Sequence, residues 1–268
     1  MSIWGKLIGG VLGFFTLGPI GMIIGIYIGH NFDKGLHNIT PMSAEQQALI
    51  QASFFSATFV LMGRLAKADG RVSESEIHHA EQIMAYLRLN NTMRQQAIGY
   101  FNLGKGDNDN WRSELEQFAK LTQTRRELRQ MMLEMLIQAS FADGDIHPTE
   151  RQVLLEVGRA FNYQPLVIER LIMMVRAQQS FHSGRQQHAH GGAESRADQL
   201  AQAYQVLDVK PEASLPEVKK AYRKLMAQHH PDKLVAKGLP PEMIKVATEK
   251  TQEIKAAYET IVAARKST

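Results

Sequence analysis

The amino-acid sequence predicts an all-α protein in three parts: a single N-terminal transmembrane helix, a helical bundle, and a small C-terminal antiparallel helical hairpin. Three observations predict it. An uncharged apolar run occupies residues 7–29, apolar residues recur at three- and four-residue steps through residues 43–178, and two amphipathic segments flank His230-Pro231-Asp232. No long alternating pattern of the kind a half-buried strand needs interrupts them. With 268 residues, 44% of them hydrophobic and 22% charged, the chain has ordinary globular composition and room for more than one domain. There is no cysteine. That excludes a disulfide framework, thiolate metal sites and a cysteine nucleophile, and it fits a reducing compartment.

A short tail, residues 1–6, precedes the first element. The run LIGGVLGFFTLGPIGMIIGIYIG, residues 7–29, carries no charge. As a helix it extends roughly 35 Å, enough to cross a hydrocarbon core about 30 Å thick. A cleaved signal peptide wants a shorter core and a small-residue cleavage site; the exit Tyr27-Ile28-Gly29-His30-Asn31-Phe32 is a poor one. The reading is therefore an uncleaved anchor. Gly5, Gly9, Gly13, Gly21, Gly25 and Gly29 fall on one four-residue ridge interrupted by Leu17. In lipid, glycine at this spacing lets two backbones approach closely, which points to a homodimer through the transmembrane helix. The ridge winds around the helix and Pro19 kinks it, so a straight crossing uses only part of it. Lys6 before the span and Lys34 with Asp33 after it leave orientation nearly balanced on charge.

The middle region, residues 43–178, reads as six or seven helices. Leu128, Met131, Met132, Met135, Leu136 and Ala139 keep helical spacing, as do Val153, Leu154, Val157 and Phe161. Breaks are expected at Asp69-Gly70, Gly104 to Asn110, Asp143-Gly144 and Tyr163-Gln164-Pro165. The stretches beginning Ala68-Asp69-Gly70 and Ala142-Asp143-Gly144 share the form A-D-G-x-[VI]-x-x-x-E at an offset of 74 residues, a duplicated helix–loop–helix unit. Asp69, Glu76, Asp143 and Glu150 are candidate oxygen ligands for a metal. The local alternative has Gly70 and Gly144 ending helices in the left-handed conformation, Ser73 with Glu76 forming a capping box, Pro148 in a first helical turn, and Glu150 near the positive end of that helix. The absence of the alternating oxygen ligands of an EF-hand favours this local reading. These turns resemble those of the TerB-like (tellurite-resistance) helical fold. That resemblance covers about half the chain and implies a helical fold; separately, the middle domain is expected to recruit an unknown protein partner.

Residues 179–198 read as a flexible linker rich in Gln, His, Gly and Ser. Such a composition buries too little apolar surface to offset its ordering entropy. His182, His188 and His190 are solvated on this reading.

The C-terminal 70 residues hold 12 basic and 8 acidic residues; the rest of the chain is balanced at 19 and 19, so the whole net charge of +4 resides here. Leu200, Ala203, Tyr204 and Leu207 share one face of a short helix. Val218, Ala221, Tyr222 and Leu225 form the apolar stripe of a second, residues 215–229, whose other side carries Lys219, Lys220, Arg223 and Lys224 as two i,i+4 pairs of like charge. Charge alone leaves open a solvated face or a face with an acidic partner. A third helix, about residues 241–264, carries Ile244, Ala247, Thr251, Ile254, Tyr258 and Ile261 at helical spacing. The second and third helices pair as a hairpin with His230-Pro231-Asp232 at its tip. A basic stripe this short, without stacking aromatics, is a poor match to nucleic-acid binding.

These residues closely resemble the J-domain of the DnaJ (Hsp40) co-chaperones: Tyr204 to Val209, Val218 to Leu225, His230-Pro231-Asp232-Lys233, and Glu253 to Glu259. The resemblance implies docking on an Hsp70 (DnaK) in its ATP state through His230, Pro231, Asp232, Lys219, Lys220, Arg223 and Lys224. It also implies stimulation of the ATPase of that partner, with no catalytic residue, cofactor or enzyme activity in this chain. The Gly/Phe-rich segment and cysteine-rich zinc region of many relatives are missing from the sequence. The order of parts resembles bacterial membrane-anchored J-domain co-chaperones and implies the inner membrane, with the N-terminus periplasmic and the C-terminal domains cytoplasmic. A membrane scaffold or signalling adaptor whose J-domain is secondary is the other class left open.

Overall fold

The computed structural model describes residues 42–68, 70, 74–106, 109–141, 144–189 and 196–266. The run 7–29 and its glycine ridge lie outside the described residues. Among the described residues there are helices and turns and no strand, the all-α class expected. From Ala48 onward the chain forms one compact unit.

Among the described residues seven helices make the bundle: α1 Ala44–Ala66, α2 Glu74–Tyr86, α3 Asn91–Lys105, α4 Asn110–Leu121, α5 Arg126–Ser140, α6 Pro148–Ala160 and α7 Pro165–Ala189. α1 is long and apolar enough to cross a membrane, but 72% of its most hydropathic window is buried in the unit. It is a core helix, hydrophobic nearly all round because other helices surround it. Thr58 returns its hydroxyl to Phe54 O at 2.7 Å, so the buried polar group is satisfied within the helix. α3 crosses α1 with backbones in contact. A Cβ added at Gly104 would sit 1.9 Å from Val60 O, and one at Gly63 would sit 2.0 Å from Phe101 O. Only glycine on both helices permits that approach.

α4 contributes Trp111, Leu115 and Phe118 to the core. Phe118 lies edge-on to Phe54 at 5.5 Å and to Phe161 at 5.6 Å. α5 is buried on nearly all sides and carries two charged residues inward, Arg129 and Glu134. The Arg129 guanidinium donates to Phe161 O and Thr122 Oγ1, each at 3.2 Å, and to Ala119 O. It thereby occupies carbonyls that end α4 and α6 and lack intrahelical partners. Gly70 and Gly144, equivalent in the sequence duplication, have φ of +94° and +112°. The left-handed turn expected from Asp-Gly is present at both.

The C-terminal module comprises α8 Arg196–Val206, α9 Leu215–His229, the short α10 Pro231–Ala236, a 3₁₀ turn Pro241–Met243 and α11 Ile244–Lys266. α9 and α11 form the expected hairpin, with Tyr222 stacked on Tyr258 at 4.4 Å. Its core gathers Ala203, Leu207, Val218, Leu225, Ile254, Ala257 and Ile261. Ala177 and Phe181 of α7 belong to the same core.

That membership corrects the linker reading. Residues 179–189 continue α7 instead of forming a tether. Two apolar residues four apart suffice here because α8 and α11 supply the rest of the apolar surface. Composition scores a segment against water and misses that contribution. Ile168 and Leu171, earlier on the same helix, are buried as well, so α7 carries apolar burial along most of its length.

A second connection is polar. Glu134 of α5 is 4% exposed and receives Lys250 Nζ of α11 at 2.7 Å and Gln130 Nε2 at 2.8 Å. His229, the last residue of α9, places Nε2 at 3.6 Å from Glu134 and is 2% exposed. Burial pushes the Glu134 carboxyl up, but His229, Lys250 and the hydrogen bonds from Lys250 and Gln130 more than offset it, so the group titrates below its ordinary value. Burial lowers the His229 ring below its ordinary value, with Glu134 opposing the shift. At the rim, Lys237 pairs with Glu127, Tyr86 OH bonds Glu249, and Gln51 Nε2 donates to Leu239 O at 3.3 Å.

Phe181→Ala tests the shared helix. Truncating a buried Phe costs about 3–5 kcal/mol. Urea unfolding followed by circular dichroism is expected to show that loss, with amide exchange accelerated in α8 and α11. Unchanged protection there refutes the shared core.

Candidate functional site: the tip and basic face of the hairpin

The site begins at the start of α9. Ser214 donates from its backbone N and from Oγ to Glu217 Oε2, both at 2.7 Å. The Ser214 hydroxyl and amide hold the Glu217 carboxyl below its usual value. This reciprocal cap sets where the helix starts and therefore its rotational phase. Val218, Leu225 and His229 then face inward, while Lys219, Lys220, Arg223 and Lys224 are all exposed on the opposite side. The sequence placed these residues on opposite sides, and the structure brings the four cations together on one open face.

α9 ends at His230, whose φ of −60° and ψ of 123° are extended. A residue before proline is driven to that region, so Pro231 stops one helix and, with its fixed φ, starts the next at its N1 position. The His230 ring caps α10: Nδ1 accepts from Asp232 N at 3.3 Å. In the tautomer that leaves Nδ1 free to accept, Nε2 is the donor nitrogen of the ring. Asp232 Oδ2 lies 3.9 Å from the ring, and its side chain is 92% exposed. The tip thus offers a carboxylate in water, at a fixed place on a rigid six-residue helix, next to an imidazole. Leu234 anchors that helix in the core.

The arrangement presents a negative point at the tip and a positive stripe along α9. Opposite charges displayed side by side in this way suit the recognition of a partner surface of complementary charge.

Of the four metal candidates, only the Glu150 side chain lies among the described residues. Asp69, Asp143 and the side chain of Glu76 lie outside the described residues. Glu150 Oε2 accepts from His147 N at 2.8 Å, in a capping box at the start of α6 with Pro148 behind it. The sequence places Glu150 near the positive helix end; the structure adds the hydrogen bond that makes it a cap. Among the described residues no group of three His, Cys, Asp or Glu is placed to hold a metal. The side chains of His182 and His188, and His190 entirely, lie outside the described residues.

Sequence reasoning missed Glu134, His229 and Lys250. His229 stands four residues after Leu225, in phase with the apolar stripe, and that phase was the available signal for an inward-facing polar residue. Nothing near Glu134 in the sequence marks its partner.

Comparison with known proteins follows the same three parts. Residues 1–39 match the family described as Co-chaperone DjlA transmembrane domain, residues 55–173 match Tellurite resistance protein TerB, and residues 202–267 match the DnaJ domain. The chain is 42% identical to Co-chaperone protein DjlA of Escherichia coli (strain K12) over 265 residues, 97% of each chain. It is 42% identical to Co-chaperone protein DjlA of Coxiella burnetii over 267 residues, again 97% of each. Against Co-chaperone protein DjlA of Photobacterium profundum it is 41% identical over 273 residues, 97% of this chain and 98% of the relative. No solved structure matches. The J-domain implies an Hsp70 partner, the N-terminal domain implies a membrane anchor, and the family is non-enzymatic. With anchor, TerB and J-domain in this order and relatives aligned along nearly their whole length, the chain belongs to the DjlA family of co-chaperones.

Proposed function

We propose that His230, Pro231 and Asp232, with Lys219, Lys220, Arg223 and Lys224, form the surface that engages the ATP-bound Hsp70 (DnaK) and triggers its ATP hydrolysis. The observation that carries this reading is exposure. The four cations, His230 and Asp232 all face solvent, although the last residue of α9, His229, is buried in the bundle. The cationic stripe attracts and orients an acidic surface, which raises the association rate and gives it salt dependence. Pro231 and the His230 cap fix the position of Asp232, and its free carboxylate accepts a charge-assisted hydrogen bond from a cationic donor of the partner. Phosphoryl chemistry belongs to the Hsp70. This chain supplies position and charge.

Asp232→Asn keeps the size of the side chain and removes its charge. Losing a charged hydrogen bond costs about 1.5–3 kcal/mol, so steady-state stimulation of DnaK is expected to fall 10-fold or more at fixed co-chaperone concentration. Full stimulation by this variant sinks the reading. Lys220→Glu with Lys224→Glu is expected to raise the half-saturating concentration and flatten its salt dependence.

The requirement for Hsp70 and ATP supports an anchor in the bacterial inner membrane, with the N-terminus periplasmic and the J-domain cytoplasmic. Because the sequence has no cysteine, one introduced at Lys255 is a clean probe. In intact cells with a permeabilised outer membrane it should resist a membrane-impermeant maleimide and react after lysis; labelling before lysis reverses the orientation.

The glycine ridge Gly5, Gly9, Gly13, Gly21, Gly25 and Gly29 supports self-association of the anchor, since small residues allow close backbone approach in lipid. Gly21→Leu with Gly25→Leu should abolish crosslinked dimers in membranes. Undiminished dimer in that variant removes the ridge from the interface. Anchoring then raises the effective concentration of Hsp70 activity near whatever the TerB-like bundle recruits.

A further inference from the structure

We propose that Glu134 of the TerB-like bundle is a positioning residue for the co-chaperone reaction: through Lys250 and His229 it holds the J-domain against the bundle with the Hsp70-facing surface outward. Glu134 is buried at 4% exposure, and its partners come from both arms of the hairpin, Lys250 of α11 at 2.7 Å and His229 of α9 at 3.6 Å. Gln130 Nε2 fixes the carboxylate from its own helix at 2.8 Å, and Lys250 also bonds Gln178 of α7. The cluster therefore ties α5, α7, α9 and α11 at one point.

Its location matters more than its strength. A buried ion pair is an inefficient source of stability, because desolvation cancels most of the attraction. What it does supply is selection of one arrangement: sliding or rotating the hairpin strands a charge in an apolar contact. His229 is adjacent to His230 in the chain, so pinning its ring fixes the end of α9 from which the tip departs. Neither nitrogen of that ring has a hydrogen bond among the described residues, so it is held by enclosure and by the facing carboxylate. The rim pair Lys237 with Glu127 acts on the other side of α10. Together they bracket the six-residue helix bearing Asp232.

The contact leaves the proposed Hsp70 face uncovered, since His230, Asp232 and the four cations are exposed with the J-domain docked. The bundle presents the J-domain and does not mask it. A pre-oriented tip spares the complex the entropy of ordering two domains on binding.

The inference rests on the proposed Hsp70 surface, and the test separates the two. In full-length protein reconstituted in vesicles, Glu134→Gln is expected to raise the half-saturating DnaK concentration about fivefold, with the maximal stimulated rate within about twofold. Spin labels on cysteines introduced at Glu116 and Gln252, both exposed, read the docking without any Hsp70. Their distance distribution should be narrow in the parent and broad in Glu134→Gln. An unchanged distribution overturns the clasp itself. A lower half-saturating concentration overturns presentation, because it makes the contact a mask. A fallen maximal rate with unchanged half-saturation also overturns the positioning role. If Glu134→Gln does not fold, Lys237→Glu, which sets two acidic groups against each other at the half-buried rim, is read on the same scale.

Discussion

α7 is the constraint on which the arrangement of the domains depends. Ile168 is buried near its start and Phe181 is buried in the core of the J-domain. Thirteen residues separate them, about 20 Å along a helix. A helix resists bending over that length unless a proline, a glycine pair or an inserted group breaks its hydrogen-bond ladder. Between Ile168 and Phe181 there is neither proline nor glycine. The J-domain is therefore carried at the end of a stiff element.

Charge is used in two opposite ways around that element. On the outer side of α9 the four cations stay in water, where each costs little and acts at a distance. On the inner side the Glu134 carboxylate, Lys250 and the His229 imidazole are enclosed together, where a mismatch is expensive and a match specifies a single geometry. The same fifteen-residue helix α9, with Val218 facing one way and Lys219 the other, serves both. Rotational phase decides which residue goes where, and the Ser214–Glu217 cap sets that phase.

The bundle shows how a duplicated turn is kept while its surroundings diverge. Gly70 and Gly144 share a left-handed backbone, which glycine adopts without steric cost. The Cβ positions of both face open space, so conformation and not crowding requires glycine there. Gly63 and Gly104 are the reverse case, where the backbone is helical and the neighbour's carbonyl forbids any side chain.

The sequence by itself determined the features that depend on near neighbours: the all-α class, the Asp-Gly turns, the hairpin and its phase, and the tip made by Pro231. These follow from helical periodicity and from the backbone preferences of glycine and proline, which act over a few residues. Tertiary structure alone decided that residues 179–189 are helical, that α1 and α3 touch backbone to backbone, and that Glu134 meets Lys250 and His229. Each of these joins groups far apart in the chain. The burial of Phe181 or the pairing of a charge depends on surface supplied by another element, and that surface exists only once the chain has folded.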